Sequence, residues 1–348
     1  MLTAGTQTSP LPDAPITQET TAEWPEIVLS VAPFLDGVQQ ELAGQVAAFD
    51  PEIAPYTEYA LANQGKQLRA TLTGLAANCV GGWNNSVIKA AVIIEMVHLA
   101  TLLHDDIMDG AELRRNRPTL ARKWDNTTAV LVGDCLFANA LRLAEEFPTT
   151  DVCRAVSTAT RTVCSGEIIQ SHQHGNLQLG QAEYLDTLRM KTGELFALAC
   201  ELGGSLAGGA ARETRALREY GMALGTAYQV YDDCLDLFGS EAEAGKSLGT
   251  DIASGKATLP VILLCEQADP EVAAQLGRMI EKWDAGQLNI LRGWLSEFNT
   301  LEQSQSRLEA LLADARDALG ELRESDHRDA LEKLTLFLAQ QSAGLGVC

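Results

Sequence analysis

An all-α protein is what this chain predicts, and three observations carry the prediction. Ala and Leu dominate a composition that is only 5% aromatic, a balance that favours helix over strand. Apolar residues recur at three- and four-residue spacing along most of the length. No alternating run of β-branched residues interrupts them. A chain of 348 residues has room for one large domain or two. The periodic segments add up to about ten or more helices in a single bundled domain.

Residues 1–22, rich in Thr, Pro, Gln and Ser without periodicity, read as a disordered tail, and 23–348 as the folded domain. Residues 24–49 carry a first long helix. Pro51 and Pro55 interrupt it, and a second helical piece reaches Asn63. A short turn with two cations, Gly65-Lys66-Gln67-Leu68-Arg69, opens a helix to Val80, which Gly81-Gly82 ends. Residues 87–109 follow, apolar almost without interruption as far as Leu103, so this helix is buried on most of its circumference. Beyond a charged loop with Pro118, a helix spans about 120–146, and Gly133 inside it marks close packing. Pro148 and Thr149-Thr150-Asp151 stop that helix and cap the next, which runs to about Gln173. Residues 181–206 and 213–238 are helical again. A glycine-rich connector (Gly239 to Pro260) reads as a loop or lid. Residues 261–343 form three or four amphipathic helices.

Charge and cysteine content narrow the function. With 47 acidic and 26 basic residues the net charge is −21, which repels nucleic acid and anionic membranes. An anionic ligand would need the few cations gathered at its site. Eight cysteines stand singly, without a C-x-x-C pair, as buried thiols do in a reducing cytoplasm. The N-terminus has no basic region followed by an apolar stretch, so no signal peptide is read there. The apolar run before Asp105 is broken by Lys89, Glu95 and His98 and is short for a membrane span. Cys348, with nothing after it, is not a prenylation signal.

Two acidic motifs carry the chemistry. The buried helix ends in His98-Leu-Ala-Thr-Leu-Leu-His-Asp105-Asp106-Ile-Met-Asp109, and a second copy lies downstream in Tyr228-Gln229-Val-Tyr-Asp232-Asp233-Cys-Leu-Asp236. In each, the first and last aspartates are four residues apart and share a helix face. A single such motif is usually a solvated helix end; two, each closing an apolar helix, are not. Carboxylates alone, with no His or Cys in the ligand positions, suit Mg²⁺, which takes a few carboxylates together with phosphate oxygens. Lys66, Arg69, Arg114, Arg115, Lys191, Lys246 and Lys256 are isolated cations, each an ordinary surface charge on its own. Lying in glycine-bearing loops or next to an acidic motif, they fit a diphosphate held through bridging metals.

These residues together resemble the trans-polyprenyl diphosphate synthases, the family of farnesyl, geranylgeranyl and longer-chain prenyltransferases. The likeness covers the chain from about Glu23. It rests on G-K-Q-L-R, L-L-H-D-D-I-M-D, R-R-N-R-P-T, V-L-V-G-D, G-E-I-I-Q, K-T-G, Y-Q-V-Y-D-D-C-L-D and G-K-S-L-G-T-D followed by G-K-A-T-L-P, in the family's order. Asn116 replaces a usual Gly, Tyr228 a usual Phe, and the basic C-terminus of some short-chain members is missing.

The resemblance implies a single large bundle of the isoprenoid synthase type around a central apolar cavity, and a homodimer. It implies that Asp105, Asp106, Asp109, Asp232, Asp233 and Asp236 hold three Mg²⁺ on the allylic diphosphate. Arg114, Lys191, Thr192, Gln229, Lys246 and Lys256 would complete that allylic site, with Lys191 catalytic beside the aspartates. Lys66, Arg69, His98 and Arg115 would bind isopentenyl diphosphate; without the resemblance, His98 would pass for a core histidine. In this family bulky aromatics just before the first motif block elongation. Here Ala100 and Thr101 are small and Val97 is not aromatic, so an open tunnel and a product of roughly C30 to C50 are expected on steric grounds. A class I terpene cyclase, a short-chain synthase and a non-catalytic subunit of a heteromeric synthase are the competing readings. The usual N-x-x-x-S-x-x-x-E second site of cyclases is absent, and the acidic and basic residues a non-catalytic subunit tends to lose are present.

Overall fold

The computed structural model describes residues 24–62, 65–115, 117–241 and 247–346; the expected N-terminal tail, Lys246 and Asn116 lie outside them. Almost every described element is a helix. The expected long first helix is three pieces instead: α1 (Trp24–Leu29), α2 (Ala32–Gly44) and a 3₁₀ turn, Gln45–Ala48. Pro33 sits in the first turn of α2. A proline has no N–H to bond back into a preceding helix but is tolerated at a helix start, so the chain restarts there. α3 (Ala54–Leu61) begins the same way on Pro55.

α4 (Leu68–Val80) leads to α5 (Asn85–Met108), the central helix. Asn84 caps α5 by accepting from the N–H groups of Ser86 and Val87 at 2.9 and 3.2 Å, which satisfies two orphan donors of its first turn. The helix is buried nearly all round, packed against α2, α4, α7 and α10. Its charged end is helical too, so α5 runs to 24 residues. By length and composition α5 and α7 could both cross a bilayer, longer spans than the apolar run suggested. The apolar stretch of α5 is nevertheless 61% buried within the protein, as a core helix would be.

A minimal antiparallel pairing of Leu113–Arg114 with Arg117–Pro118 closes the charged loop. The expected helix 120–146 is broken into α6 (Leu120–Lys123) and α7 (Asn126–Glu145). Asp125 causes the break: extended, it caps α7 through Oδ1, which accepts from Thr128 N–H at 2.8 Å. α8 (Asp151–His172) follows. The expected helix 181–206 is continuous but irregular, α9 (Gln181–Leu188) and α10 (Glu194–Leu206) being joined by a π-helical turn, Arg189–Gly193. α11 (Ala211–Phe238) packs along α10. At Gly221 a Cβ would collide with the backbone of Phe196, so only glycine lets the two helices approach this closely.

After α12 (Thr250–Ala253) the chain forms five helices where three or four were expected: α13 (Leu259–Gln267), α14 (Pro270–Glu281), α15 (Leu288–Glu297), α16 (Thr300–Leu319) and α17 (Asp326–Ala343). Asp269 and Ser325 supply caps that split this region. α16 and α17 pack onto the main core, while residues of α13, α14 and α15 build a second apolar cluster around Leu264, Leu276, Leu291 and Leu295.

Candidate active site

The C-terminal ends of α5 and α11 open onto one cavity of about 600 Å³, within the usual range for small-molecule sites. Asp105 and Asp232, from the two acidic motifs, both line it. So do Arg114, Lys191, Thr192 and Gln229, and likewise Lys66, Arg69, His98 and Arg115. Residues from α4, α5, the charged loop, the π turn and α11 are thereby brought together from positions as far apart as Lys66 and Asp232.

The remaining expected residues lie around this wall. Asp106 is 4% exposed and accepts from Arg114 Nε at 2.6 Å. Asp109 pairs with Lys256 Nζ at 2.9 Å, which ties the glycine-rich connector to the end of α5. Asp233 is buried and accepts from Tyr184 Oη at 2.6 Å and from Gln229 Nε2 at 2.9 Å. Thr192 Oγ1 in turn donates to Gln229 Oε1 at 2.8 Å. Asp236 has no exposed surface; its carboxylate accepts from Thr250 Oγ1 and Asp251 N–H at 2.9 and 3.1 Å. Of the chain-length positions only Thr101 lines the cavity, its hydroxyl donating to His98 O at 2.7 Å. Val97 and Ala100 are packed in the core. The face of α5 that lines the cavity is Glu95, His98, Leu99, Thr101, Leu102 and Asp105, spaced at three and four residues as one helix face requires. Lys246 lies outside the described residues.

Burial sets the protonation of this wall. The Asp105 carboxyl is pushed up to about 7 by burial, with Glu167 adding to the effect and Lys191 opposing it. Asp233 is pushed up to about 7 as well, by burial and then by Asp251. A carboxyl so placed gains from an opposite charge brought close. Lys191 Nζ donates to Glu167 Oε2 at 2.8 Å and Gln170 Oε1 at 3.0 Å. Burial works against its charge, but Asp105 and Glu167 outweigh that and raise its pKa. His98 is held well below its ordinary value by burial and then by Arg69, Arg115 and Arg114, so its imidazole is neutral. Among the described residues no three His, Cys, Asp or Glu converge into a ready-made metal cage. Asp105 and Asp232, one from each acidic motif, instead line one cavity, as suits Mg²⁺ completed by phosphate oxygens.

Sequence reasoning left several wall residues without a role. Glu167, the ion-pair partner of Lys191, and Gln170, which accepts a hydrogen bond from it, stand in the G-E-I-I-Q stretch, legible as a motif but not as the partners of Lys191. Glu95 appeared only as a break in an apolar run. Phe196, whose ring lies 4.8 Å below the Arg69 guanidinium, carries no sequence signal beyond its helical position.

The polyprenyl synthetase family model matches residues 50–291. An octaprenyl diphosphate synthase of Haemophilus influenzae is 30% identical over 310 residues, which are 89% of this chain and 94% of that protein. The crystal structure of a decaprenyl diphosphate synthase from Rhodobacter capsulatus superposes with a TM-score of 0.86 at 33% identity, covering 91% of this chain and 99% of that one. A polyprenyl synthase from Caulobacter crescentus, crystallised with calcium and isoprenyl diphosphate, gives 0.86 at 34% identity, covering 92% and 98%. An all-helical fold with both acidic motifs on one cavity agrees with these likenesses, and the chain belongs to the polyprenyl synthetase family, as a prenyltransferase of the trans-polyprenyl diphosphate synthase type.

Proposed function

We propose that this enzyme condenses isopentenyl diphosphate head-to-tail with an allylic prenyl diphosphate to give a long-chain all-trans polyprenyl diphosphate, roughly C30 to C50. One observation carries the reading: a single cavity presents Asp105 and Asp232 with Lys191, Thr192 and Gln229, and also Lys66, Arg69, His98 and Arg115. Two anionic groups thus have separate sets of partners within one chamber. Relatives acting on long chains, octaprenyl and decaprenyl among them, support the product class.

Asp105, Asp109 and Asp232 would hold magnesium, three ions by the family's pattern. When bound, these ions supply positive charge against the leaving diphosphate. Asp106, Asp233 and Asp236, already engaged by Arg114, Tyr184 with Gln229, and Thr250, brace the motifs or join the ions when ligand binds. Lys191, Arg114 and Lys256 bind the outer oxygens of the allylic diphosphate and stabilise the charge it gains as the allylic C–O bond ionises. The alkene of isopentenyl diphosphate attacks the resulting cation, and the proton released goes to the departing pyrophosphate. Leu99, Leu102, Val163 and Leu195 give the chamber an apolar wall, which keeps water from the cation.

A homodimer is proposed as well, in keeping with Val130, Leu131 and Leu141 exposed on α7; light scattering on the purified protein tests it. A cytoplasmic setting accords with the seven free cysteines among the described residues. The function is tested by incubating the enzyme with Mg²⁺, farnesyl diphosphate and excess isopentenyl diphosphate and reading chain length by mass spectrometry. A ladder ending at C30 or beyond is expected; arrest at C20 refutes the long-chain reading, and no elongation refutes the condensation itself.

A further inference from the structure

Glu95 is a buried carboxylate, 7% exposed, in the wall of a chamber built for diphosphates. Its charge is wrong for touching such a ligand. Its surroundings explain it differently. α4 opens at Leu68 directly after Gln67, which sits at φ 49 and makes no side-chain cap. The Gln67 side chain is used elsewhere, its Oε1 accepting from Gln39 Nε2 at 3.2 Å. The N-terminal N–H groups of α4 therefore need an acceptor from outside the helix. Glu95 Oε1 provides one, accepting from Ala70 N–H at 3.1 Å in a buried setting. A carboxylate at a helix N-terminus is doubly favourable there, through the hydrogen bond and the helix dipole.

Burial raises the pKa of Glu95, while Arg69, the Ala70 N–H and Arg115 oppose that and favour the carboxylate; it is in turn the main opposite charge felt by Arg69, the residue just before Ala70, and it acts on Arg115 as well. Arg69 is stacked over Phe196 at 4.8 Å, and its Nε is buried without an acceptor. The guanidinium thus lies over the ring without a hydrogen bond from Nε, and Glu95 is the first opposite charge acting on it. Arg115 lies against the loop before α4, where a Cβ at Gly65 would collide with its guanidinium. His98, one turn along α5 from Glu95, faces the same chamber. One side chain thus joins the start of α4, both arginines and the face of α5 that carries the histidine.

We infer that Glu95 is a positioning residue for isopentenyl diphosphate: it fixes the first turn of α4 and holds Arg69 and Arg115 against their mutual repulsion, so that both stand ready before the diphosphate arrives. The inference rests on the proposal that Arg69, His98 and Arg115 form the isopentenyl diphosphate site. Pre-placed cations bind more tightly than cations that must be ordered on arrival. Plain electrostatics argues the opposite way, since removing a negative charge would strengthen the pull on an anion. The two accounts therefore predict opposite signs.

The test is steady-state kinetics of Glu95→Gln, Glu95→Asp and Arg69→Gln in the full-length enzyme, varying each substrate in turn. Glu95→Gln keeps the shape and an oxygen for Ala70 N–H but removes the charge. Its KM for isopentenyl diphosphate should rise about tenfold, as loss of one charge-assisted contact does. KM for the allylic substrate should stay within about twofold, and kcat should change little. Glu95→Asp, which keeps the charge on a shorter arm, should recover part of the loss. An unchanged or lowered KM for isopentenyl diphosphate in Glu95→Gln overturns the inference. So does an equal rise in both KM values with a lower melting temperature, which marks a purely structural role. Arg69→Gln separates the two layers: if it leaves the KM for isopentenyl diphosphate unchanged, the assignment of the site fails and the role of Glu95 falls with it. If Arg69→Gln raises that KM and Glu95→Gln does not, only the role of Glu95 is lost.

Discussion

Replacing Tyr184 by Phe isolates one bond behind the second acidic motif. Tyr184, on α9 and 3% exposed, donates to Asp233 Oδ2 at 2.6 Å, with Asp233 itself 6% exposed. Asp233 Oδ1 takes Gln229 Nε2, and Gln229 Oε1 takes the Thr192 hydroxyl. The phenol is therefore the outer end of a buried chain that reaches a residue lining the chamber. Phe fills nearly the same volume, so no cavity opens and the change is confined to the hydroxyl. Above pH 7, where Asp233 is ionised, a hydrogen bond to this buried acceptor contributes about 1.5–3 kcal/mol. With about 2 °C per kcal/mol for a chain of this size, the melting temperature should fall by roughly 4 °C. Asp233 keeps Gln229 as its remaining donor and gains freedom to swing, so kcat/KM for the allylic substrate should drop about tenfold through looser placement of the motif. The KM for isopentenyl diphosphate, whose proposed partners lie on α4, α5 and the charged loop, should be unchanged. Scanning fluorimetry and initial-rate kinetics read both effects. A Tyr184→Phe enzyme with wild-type melting temperature and wild-type kcat/KM would refute the reasoning, because the Asp233 contact would then contribute nothing.

Three further outcomes are expected. Thr101→Tyr, on the one chain-length position that lines the chamber, should shorten the product in the mass-spectrometric ladder; an unchanged length would place the growing tail along another face. Asp105→Asn should lower kcat by about 10²–10³-fold, as removal of a group stabilising developing charge does, and an activity near wild type would remove Asp105 from the reaction. In the presence of a chelator, Asp105 and Asp233 stand at about 7, above the ordinary 3.8. Each raised value favours the folded state in acid, an advantage lost as pH climbs from about 4 to about 7 and amounting to at most about 4 kcal/mol per group. The melting temperature of the chelated protein should therefore fall between about pH 4 and pH 7, and added Mg²⁺ should flatten the slope. A rise over that range would contradict the burial of both groups.

What the chain revealed before folding follows from the range of each interaction. The buried course of α5 was legible because a helix apolar on all sides belongs in a protein core or a bilayer, and Lys89, Glu95 and His98 within it weigh against the bilayer. The breaks at Pro33 and at Asp125 were not, although each residue is a strong local signal. A cap or a proline decides a boundary only once the competing helix has nothing to gain from continuing, and that depends on packing. The π turn at Arg189–Gly193 is invisible to a 3.6-residue period because it adds a residue without disturbing the pattern on either side.

The site divides along a similar line. Groups expected to touch ligand stood out because diphosphate and metal chemistry demands carboxylates and cations in recognisable clusters. Those that hold them in place did not. Glu95 lies 26 residues from Arg69 along the chain, Tyr184 is 49 residues from Asp233, and Glu167 is 24 residues from Lys191. Each pair exists only after helices far apart in sequence are laid side by side, and each member alone looks like an ordinary residue of its helix. The same burial that hides these partners gives them force: taken out of water, a carboxylate beside a guanidinium or an ammonium acts at a lower effective dielectric than a surface pair. A substitution at Glu95 or Tyr184 should thus change substrate-specific constants, whereas the exposed pair Arg154 with Asp151 should tolerate replacement of either partner with a stability change below about 0.5 kcal/mol.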